Sequence, residues 1–197
     1  MMEARRVVRS LLWQQIGGLG LEHCTLAQSA GGEWSFAGVV ALALNETPAH
    51  VTYTVTCDSA WRTRLVQVRQ VLGDAEASFD AVVEAGERWR IAGQPEDAIQ
   101  GCLDVDLGVS PATNTLPIRR LALAVGDSAE VTAAWVRFPA LSVQPLWQRY
   151  TRLEERRYRY ESASGFSAEL VVDELGLVTQ YAGGWERVAV WDGPGGA

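Results

Sequence analysis

Alternation of apolar and polar residues is the feature that most constrains this chain. In residues 51–57 a threonine separates each apolar side chain from the next. A period of two places the two sets on opposite faces of an extended strand. Similar short segments recur along the chain, and turn-forming residues such as Gly73 and Gly126 separate them. Many short strands at close intervals predict an all-β fold and not repeated βαβ units.

The alternation gives a set of strands and two ambiguous segments. The predicted strands cover residues 11–15, 22–29, 34–44, 51–57, 61–72, 79–84, 89–92, 102–107, 119–125, 130–138, 158–161, 166–173, 177–181 and 185–190. Residues 74–86 and 147–160 also carry partial helical stripes, but their alternation favours a hairpin in the first and a long bent strand or a hairpin in the second. Within 61–72 the phase changes at Leu65, which predicts a β-bulge.

Two of these segments, 36–44 and 130–138, are apolar on both faces. In an antiparallel sheet this indicates that the sheet is covered on both sides or curls around something. We therefore predict a strongly bent antiparallel sheet that forms a roll or half-open barrel with little helix. A roll of more than about eight strands leaves an interior too wide for its side chains to fill, so we expect a cavity. Residues 1–192 are predicted to form one domain and 193–197 a flexible tail.

Composition narrows the function classes. The chain has no lysine, so all 17 cationic side chains are arginine, which excludes Schiff-base and P-loop lysine chemistry. The net charge of −7 disfavours nucleic acid and anionic membranes as partners.

The three cysteines are widely spaced without a CxxC pair, and we expect them to be buried small hydrophobes. The longest uncharged apolar stretch, 36–44, is too short for a membrane span, and no secretory signal follows the basic start, which predicts a cytoplasmic protein.

Two central motifs carry a family resemblance. They are Gly-Cys-Leu-Asp-Val-Asp-Leu at 101–107 and Thr-Asn-Thr-Leu-Pro-Ile-Arg-Arg at 113–120. Further matching stretches are 61–64, 148–150, 158–162 and 172–178. Over nearly its whole length the chain resembles the putative glycolipid-binding family. The resemblance implies a strongly bent antiparallel sheet, similar to that of periplasmic lipoprotein carriers, and it implies no catalytic residue.

The central motifs supply the polar candidates. Asp104 and Asp106 share one face of a predicted strand, where they could bind a divalent metal, contact a ligand or pair with an arginine. Asn114 begins a turn-like segment. Arg119 and Arg120 point to opposite faces if the chain is extended, so that one could meet the aspartates and the other a sugar or phosphate.

Aromatic residues supply the remaining candidates. Most of the eight tryptophans are expected in the core, and a few could line a cavity, because ligand sites are largely apolar with few polar groups. The predicted ligand-binding set is Trp61, Asp104, Asp106, Asn114, Arg119, Arg120, Trp135, Trp147 and Tyr150. No metal site, cofactor or catalytic residue is predicted.

Three functions fit these observations. The preferred hypothesis is non-enzymatic binding of an amphiphilic ligand, a lipid or glycolipid, in a cavity of the bent sheet. One alternative is an enzyme on a lipid or glycan, which would need a distant carboxylate such as Glu161 beside Asp104 and Asp106. The other is an interaction protein that pairs through an exposed sheet edge. The sequence leaves the oligomeric state open.

Overall fold

A computed structural model describes residues 5–194. The strands are β1 Arg5–Gln15, β2 Leu21–Ser29, β3 Trp34–Leu44, β4 Thr47–Cys57, β5 Thr63–Leu72, β6 Ala75–Glu84, β7 Arg88–Ile91, β8 Gln94–Pro95, β9 Asp104–Leu107, β10 Ser128–Arg137, β11 Ser142–Glu154, β12 Arg157–Ser162, β13 Ser167–Val172, β14 Val178–Tyr181 and β15 Trp185–Asp192. One seven-residue helix, α1 Thr115–Leu121, and two 3₁₀ turns, Asp97–Ile99 and Ala112–Asn114, lie between β8 and β10. No helix in this part of the chain is long and apolar enough to cross a membrane.

All fifteen strands belong to one curved sheet. Their order is β8-β7-β6-β5-β4-β3-β2-β1-β15-β14-β13-β12-β11-β10-β9, and every neighbouring pair is antiparallel except β9 and β10. The sheet curls until the segment before β9 reaches the start of β5. There Thr63 N donates to Leu103 O at 2.9 Å, and Thr63 Oγ1 accepts from Val105 N at 3.0 Å. The predicted bent, half-open all-β architecture is confirmed.

Most predictions for individual strands and turns are confirmed, and one strand is wrong. The hairpin predicted within 74–86 is present as β6–β7, and of the two alternatives left open for 147–160 the structure has the hairpin, β11–β12. The bulge lies at Arg64, one residue before the predicted phase change, where Cys57 pairs with Thr63 and Thr56 with Leu65. The strand predicted at 119–125 is wrong, because this segment contains the end of α1 and a loop.

Helix α1 replaces an expected extended segment because its proline is placed where a helix tolerates it. Pro117 is in the first turn, where backbone N–H groups have no intrahelical acceptor, so the missing N–H costs nothing. Ala122 then adopts a left-handed conformation with φ of 45°, and its N–H bonds to Ile118 O. A helix this short depends on packing. Its first four residues are buried.

Strand β3 is apolar on both faces in sequence, but only one face is buried in the structure. Phe36, Val40 and Leu42 are buried on the concave face, whereas Val39 is 47% exposed on the convex face. Small alanines occupy most of the remaining convex positions, so little apolar surface is left in water there. In β10 the prediction holds for its second half, because both Ala133 and Ala134 are buried.

The segment between β8 and β10 fills most of the concave side. Ile99, Leu107, Val109 and Leu116 of this segment are buried in the same core cluster as the inward residues of β1 to β6. Trp89 of β7 is fully buried, and its indole Nε1 donates to Cys102 O at 2.8 Å. Because this chain segment packs in the core of the roll, no wide hollow of the kind expected from strand number remains, and the space left is divided into small open clefts.

The end of the chain returns to β1. Gly193 N donates to Val8 O at 2.9 Å, and Arg6 Nη1 bonds to Pro194 O at 3.3 Å. Residues 195–197 of the predicted tail lie outside the described residues, as do 1–4. The tail and the single-domain boundary therefore stay predictions.

Candidate functional site

The cleft opens where the filling segment meets the strands that close the roll. Its volume is about 280 Å³. Asp106 of β9 and Asn114 of the second 3₁₀ turn form one side, and residues of β10, β11, β12, β14 and β15 form the rest. The turns 163–166 and 182–184 contribute to its mouth. The cleft is thus built by six strands, one 3₁₀ turn and two connecting turns, nine elements that only the curled sheet brings together.

Five aromatic residues contribute to the cleft wall. Tyr160, Phe166 and Tyr181 form a mutually tilted cluster, with ring centroids 6.0 to 6.4 Å apart. Trp135 and Trp185 line the cleft as well. Gly108 lies against Trp135, and a Cβ added there would meet the indole Nε1 at 2.9 Å. The absence of a side chain at position 108 therefore keeps the Trp135 ring in its place beside the cleft.

A chain of polar groups lies beneath these rings. Asn114 Nδ2 donates to Tyr150 Oη at 3.0 Å, and the Tyr150 hydroxyl points to Gln148 Oε1 at 3.5 Å. Gln148 Nε2 in turn donates to Asp106 Oδ2 at 2.6 Å. Gln148 and Tyr150 are buried and cannot rearrange freely, so the network fixes the direction of the Asp106 carboxylate and the Asn114 amide.

Asp106 is the charged residue of the cleft. Loss of hydration raises the pKa of its carboxyl to about 6, and the hydrogen bond from Gln148 opposes that rise. Burial also raises the pKa of Tyr160 and of Tyr181, and in both cases the nearby Asp106 charge adds to the effect. The two phenols are therefore neutral hydrogen-bonding groups beside a carboxylate that is ionised at neutral pH.

The other aspartate of the motif is engaged elsewhere. Asp104 is 1% exposed and forms a two-point ion pair with Arg120, in which Arg120 Nε lies 3.1 Å from Asp104 Oδ1 and Nη2 bonds to Oδ2. Of the alternatives for this pair, the structure shows arginine pairing for Asp104. Residues 5–194 contain no group of three or more histidine, cysteine or acidic side chains suited to a metal ion.

Trp61, Arg119 and Trp147 lie away from the cleft. Trp61 is in the core, stacked on Trp34 with centroids 4.6 Å apart, and the Arg119 guanidinium lies 5.4 Å from its ring. Trp147 is 38% exposed on the face of β11 opposite Leu146 and Gln148. Of the nine candidates the structure brings together Asp106, Asn114 and Trp135 in the cleft, with Tyr150 directly behind. Whether any of them binds a ligand stays a prediction.

Sequence reasoning missed several cleft residues. They are Gln148, Tyr160, Ser162, Ser164, Phe166, Tyr181 and Trp185. Gln148 could have been predicted from the sequence. It lies between Leu146 and Tyr150 on the inward face of an alternating strand, where a buried polar side chain needs a hydrogen-bond partner. Phe166 and Ser164 had no such signal, since they belong to a turn whose position depends on the curl of the whole sheet.

A second buried carboxyl lies behind the cleft wall. Glu22 of β2 is fully buried, and its Oε1 accepts hydrogen bonds from Tyr53 Oη at 2.5 Å and Ser110 Oγ at 2.7 Å. Its Oε2 has no partner among the described residues. Burial raises the pKa of Glu22 to about 7, while the bonds from Tyr53 and Ser110 oppose the rise. Ser110 lines the cleft, so this cluster supports one of its walls.

The fold and the cleft define a class of protein: an open β-barrel-like module with a small, aromatic-lined site at one end. Residues 10–187 match the family model described as "Putative glycolipid-binding", and the chain belongs to that family. No curated protein matches the chain.

Two solved structures resemble the fold. A DUF1089 family protein from Pseudomonas aeruginosa is 32% identical, with a TM-score of 0.75 over 82% of this chain and 95% of that chain. A β-barrel-like protein of the DUF1849 domain of unknown function from Brucella abortus has a TM-score of 0.55 over 98% of this chain and 100% of that one. At 9% identity the second likeness concerns the fold alone.

Proposed function

We propose that the protein binds the carbohydrate portion of a glycolipid in the cleft, without covalent chemistry. The observation that carries the proposal is the combination of five aromatic rings with a fixed carboxylate and amide in one small cleft. The family description supports the same ligand class. The predicted single domain and cytoplasmic location are retained as part of this proposal.

The chemistry of the lining suits a sugar. The apolar face of a sugar ring packs on aromatic rings, and its hydroxyls need a few well-directed polar partners. The carboxylate of Asp106 accepts hydrogen bonds from two hydroxyls, whereas the amide of Asn114 both donates and accepts. Ser162 and Ser164 at the mouth add hydroxyl groups, with their Oγ atoms 2.7 Å apart.

The size of the cleft favours the head of the ligand over its tail. A volume of about 280 Å³ is just below the range of about 300–1,000 Å³ for small-molecule sites. It is sufficient for about one sugar ring. A second pocket of about 280 Å³ adjoins the cleft at Gly108, Trp135 and Trp185, and it is lined by apolar residues such as Leu42, Leu44 and Phe138. An acyl chain would need a longer apolar channel than this, and the core of the roll contains the protein's own segment 97–121. The lipid part of the ligand is therefore expected to stay outside.

Charge favours a neutral sugar over a phosphate. Asp106 is the charged side chain among the residues that line the cleft, and the lining includes no arginine. A phosphate group would meet the Asp106 carboxylate. The Arg137 guanidinium lies 5.2 Å from the centroid of the Trp135 ring, but Arg137 is not one of the residues that line the cleft. Of the two arginines considered for phosphate binding, Arg120 is paired with Asp104. Arg119 contacts Trp61 and Glu174 O and lines a different pocket from the cleft.

The arrangement gives less support to glycoside hydrolysis. That reaction requires two carboxyl groups on either side of the scissile bond. In the described cleft Asp106 has no such companion, because Asp104 is paired with Arg120 and Glu161 alternates with the inward Tyr160 and Ser162 on β12.

A binding measurement with matched tryptophan variants tests the proposal. Isothermal titration with a panel of neutral methyl glycosides should show binding of at least one sugar by the natural protein. Trp135→Ala should weaken that binding by about tenfold or more, because it removes a stacking ring worth roughly 1.5–3 kcal/mol. Trp147→Ala removes the same ring from the face of β11 outside the cleft and should leave the affinity unchanged. Equal effects of the two variants, or no binding to any glycoside, would overturn the proposal.

A further inference from the structure

Three turns, 16–20, 163–166 and 182–184, lie next to the cleft, and the first two expose large apolar side chains. Leu19 is 92% exposed and Ile16 43% exposed in the β1–β2 turn, and Phe166 is 45% exposed in the β12–β13 turn. Exposed apolar residues are ordinary when scattered, but a cluster at a binding site is informative. Leu19 in particular makes almost no packing contact that would explain a leucine at its position.

These turns form one surface beside the mouth of the cleft. Ile16 N donates to the carbonyl of Gly184, which itself lines the cleft, at 2.7 Å. Gly20 lies against the indole of Trp185, where an added Cβ would be 3.2 Å from the ring. Phe166 lines the cleft directly, and its ring lies 6.0 Å from that of Tyr181. We call Ile16, Leu19 and Phe166 the apolar rim.

The segments that carry the apolar rim contain no charge. Residues 10–21, 162–168 and 175–185 have no acidic or basic side chain, in a chain of which 21% of the residues are charged. Glycine, alanine and serine supply most of the remaining positions in the three turns. Such a surface can enter an apolar medium without removing a charged group from water, which would be costly.

We infer that the apolar rim docks on the surface of a lipid bilayer, so that the cleft takes up the sugar of a glycolipid whose acyl chains remain in the membrane. The inference rests on the proposed function of the cleft. Docking would also place the apolar part of the ligand in the bilayer, outside the filled interior of the roll. Side chains at turns that reach the headgroup boundary anchor proteins peripherally and reversibly.

The charge of the protein defines the kind of membrane. Anionic lipids would repel a chain of net charge −7, and the rim offers no cationic patch to offset that repulsion. We therefore expect docking on neutral or zwitterionic surfaces. Because apolar contact drives it, docking should depend only weakly on ionic strength.

Vesicle flotation separates docking from sugar recognition. The full chain is mixed with vesicles of phosphatidylcholine alone and of phosphatidylcholine containing a monoglucosyl diacylglycerol or another lipid bearing the sugar selected by titration. The natural protein should bind both, and more tightly with the glycolipid. Leu19→Asp should weaken binding to both by about tenfold, because it replaces the exposed leucine that would enter the headgroup boundary with a charge. It should leave the affinity for the soluble glycoside unchanged.

Val125→Asp is the matched control. Val125 is a loop residue with 58% exposure, and its neighbour Gly126 bonds to Arg152 at the end of β11 remote from Gln148 and the cleft. This variant should bind vesicles as the natural protein does. Equal flotation of Leu19→Asp and the natural protein would overturn the docking inference, as would self-association through the rim, seen by sedimentation, without vesicle binding. Docking that depends on Leu19 in a protein that binds no glycoside would instead contradict the proposed function alone.

Discussion

Gln148 Nε2 donates a 2.6 Å hydrogen bond to Asp106 Oδ2, and this contact links the edge strand β9 to the interior of β11. It supplies a hydrogen-bond partner for the buried Gln148 amide and fixes one oxygen of the Asp106 carboxylate, which lines the cleft. It also leaves the Asp106 carboxylate directed along the cleft wall. The central polar contact of the proposed site is therefore also a structural contact between the filling segment and the sheet.

The pKa of Asp106 predicts how binding depends on pH. The carboxyl has a pKa raised to about 6, so it is ionised at pH 7.5 and becomes protonated as the pH falls through 6. An ionised carboxylate accepts hydrogen bonds from sugar hydroxyls more strongly than the acid form does. Glycoside affinity measured by titration should thus fall between pH 7.5 and 5.

Asp106→Asn is the control for this pH dependence. The asparagine variant should bind more weakly at pH 7.5 and show a flat profile over the same range. A natural protein whose affinity is constant from pH 7.5 to 5 would contradict the assignment of Asp106 to the ligand.

Glu22 predicts a second pH effect, on stability. Its pKa is raised from 4.5 to about 7 by burial, so between these values the folded chain holds a proton that the unfolded chain has released. The free energy of unfolding should therefore fall as the pH rises from 4.5 through 7, by roughly 2–3 kcal/mol from this residue, and then level off. Urea unfolding across this range measures the effect.

Glu22→Gln isolates the contribution of Glu22 from that of Asp106, which has the same sign. The variant keeps a side chain of similar size that cannot ionise, so its stability should change less with pH and exceed that of the natural protein at pH 8. If the free energy of unfolding changed with pH in the same way for both proteins, the raised pKa of Glu22 would be contradicted.

The Asp104–Arg120 pair predicts a large structural effect. Arg120→Met leaves Asp104 buried without its counter-charge and should lower the free energy of unfolding by about 3–5 kcal/mol. The double variant Asp104→Asn/Arg120→Met should recover much of that loss, because the uncompensated charge is gone. Arg88→Met breaks an exposed pair with Glu84 and should change stability by less than about 1 kcal/mol. Similar costs for Arg120→Met and Arg88→Met would contradict the buried ion pair.

The architecture could be predicted from the sequence because it depends on local patterns. Alternation in residues 51–57, repeated along the chain, determines which side chains face inward, and strand number with turn spacing predicts a curled sheet. Prediction from local sequence patterns failed for residues 114–120. A turn-like segment and a strand at 119–125 were predicted, whereas burial of Leu116 and Ile118 stabilises a short helix around Pro117.

The site was harder to predict because it depends on packing between distant segments. Asp104 and Asp106 are two residues apart, yet one is paired with Arg120 on α1 and the other faces the cleft. Nothing in the spacing of the motif distinguishes them. Likewise, no pattern indicated that the segment from 97 to 121 would turn inward and fill the roll, which decides that a ligand meets a small cleft and not a lipid-sized hollow.

The indole N–H resonances of the eight tryptophans test the central claim most directly. In a titration with a neutral glycoside followed by ¹H–¹⁵N NMR, the signals of Trp135 and Trp185 should shift, because both rings line the cleft. The signals of Trp13 and Trp89 should not, since their indoles are buried and bonded to Val178 O and Cys102 O. Shifts confined to Trp13 and Trp89, or to the exposed Trp147 and Trp191, would contradict binding in the cleft.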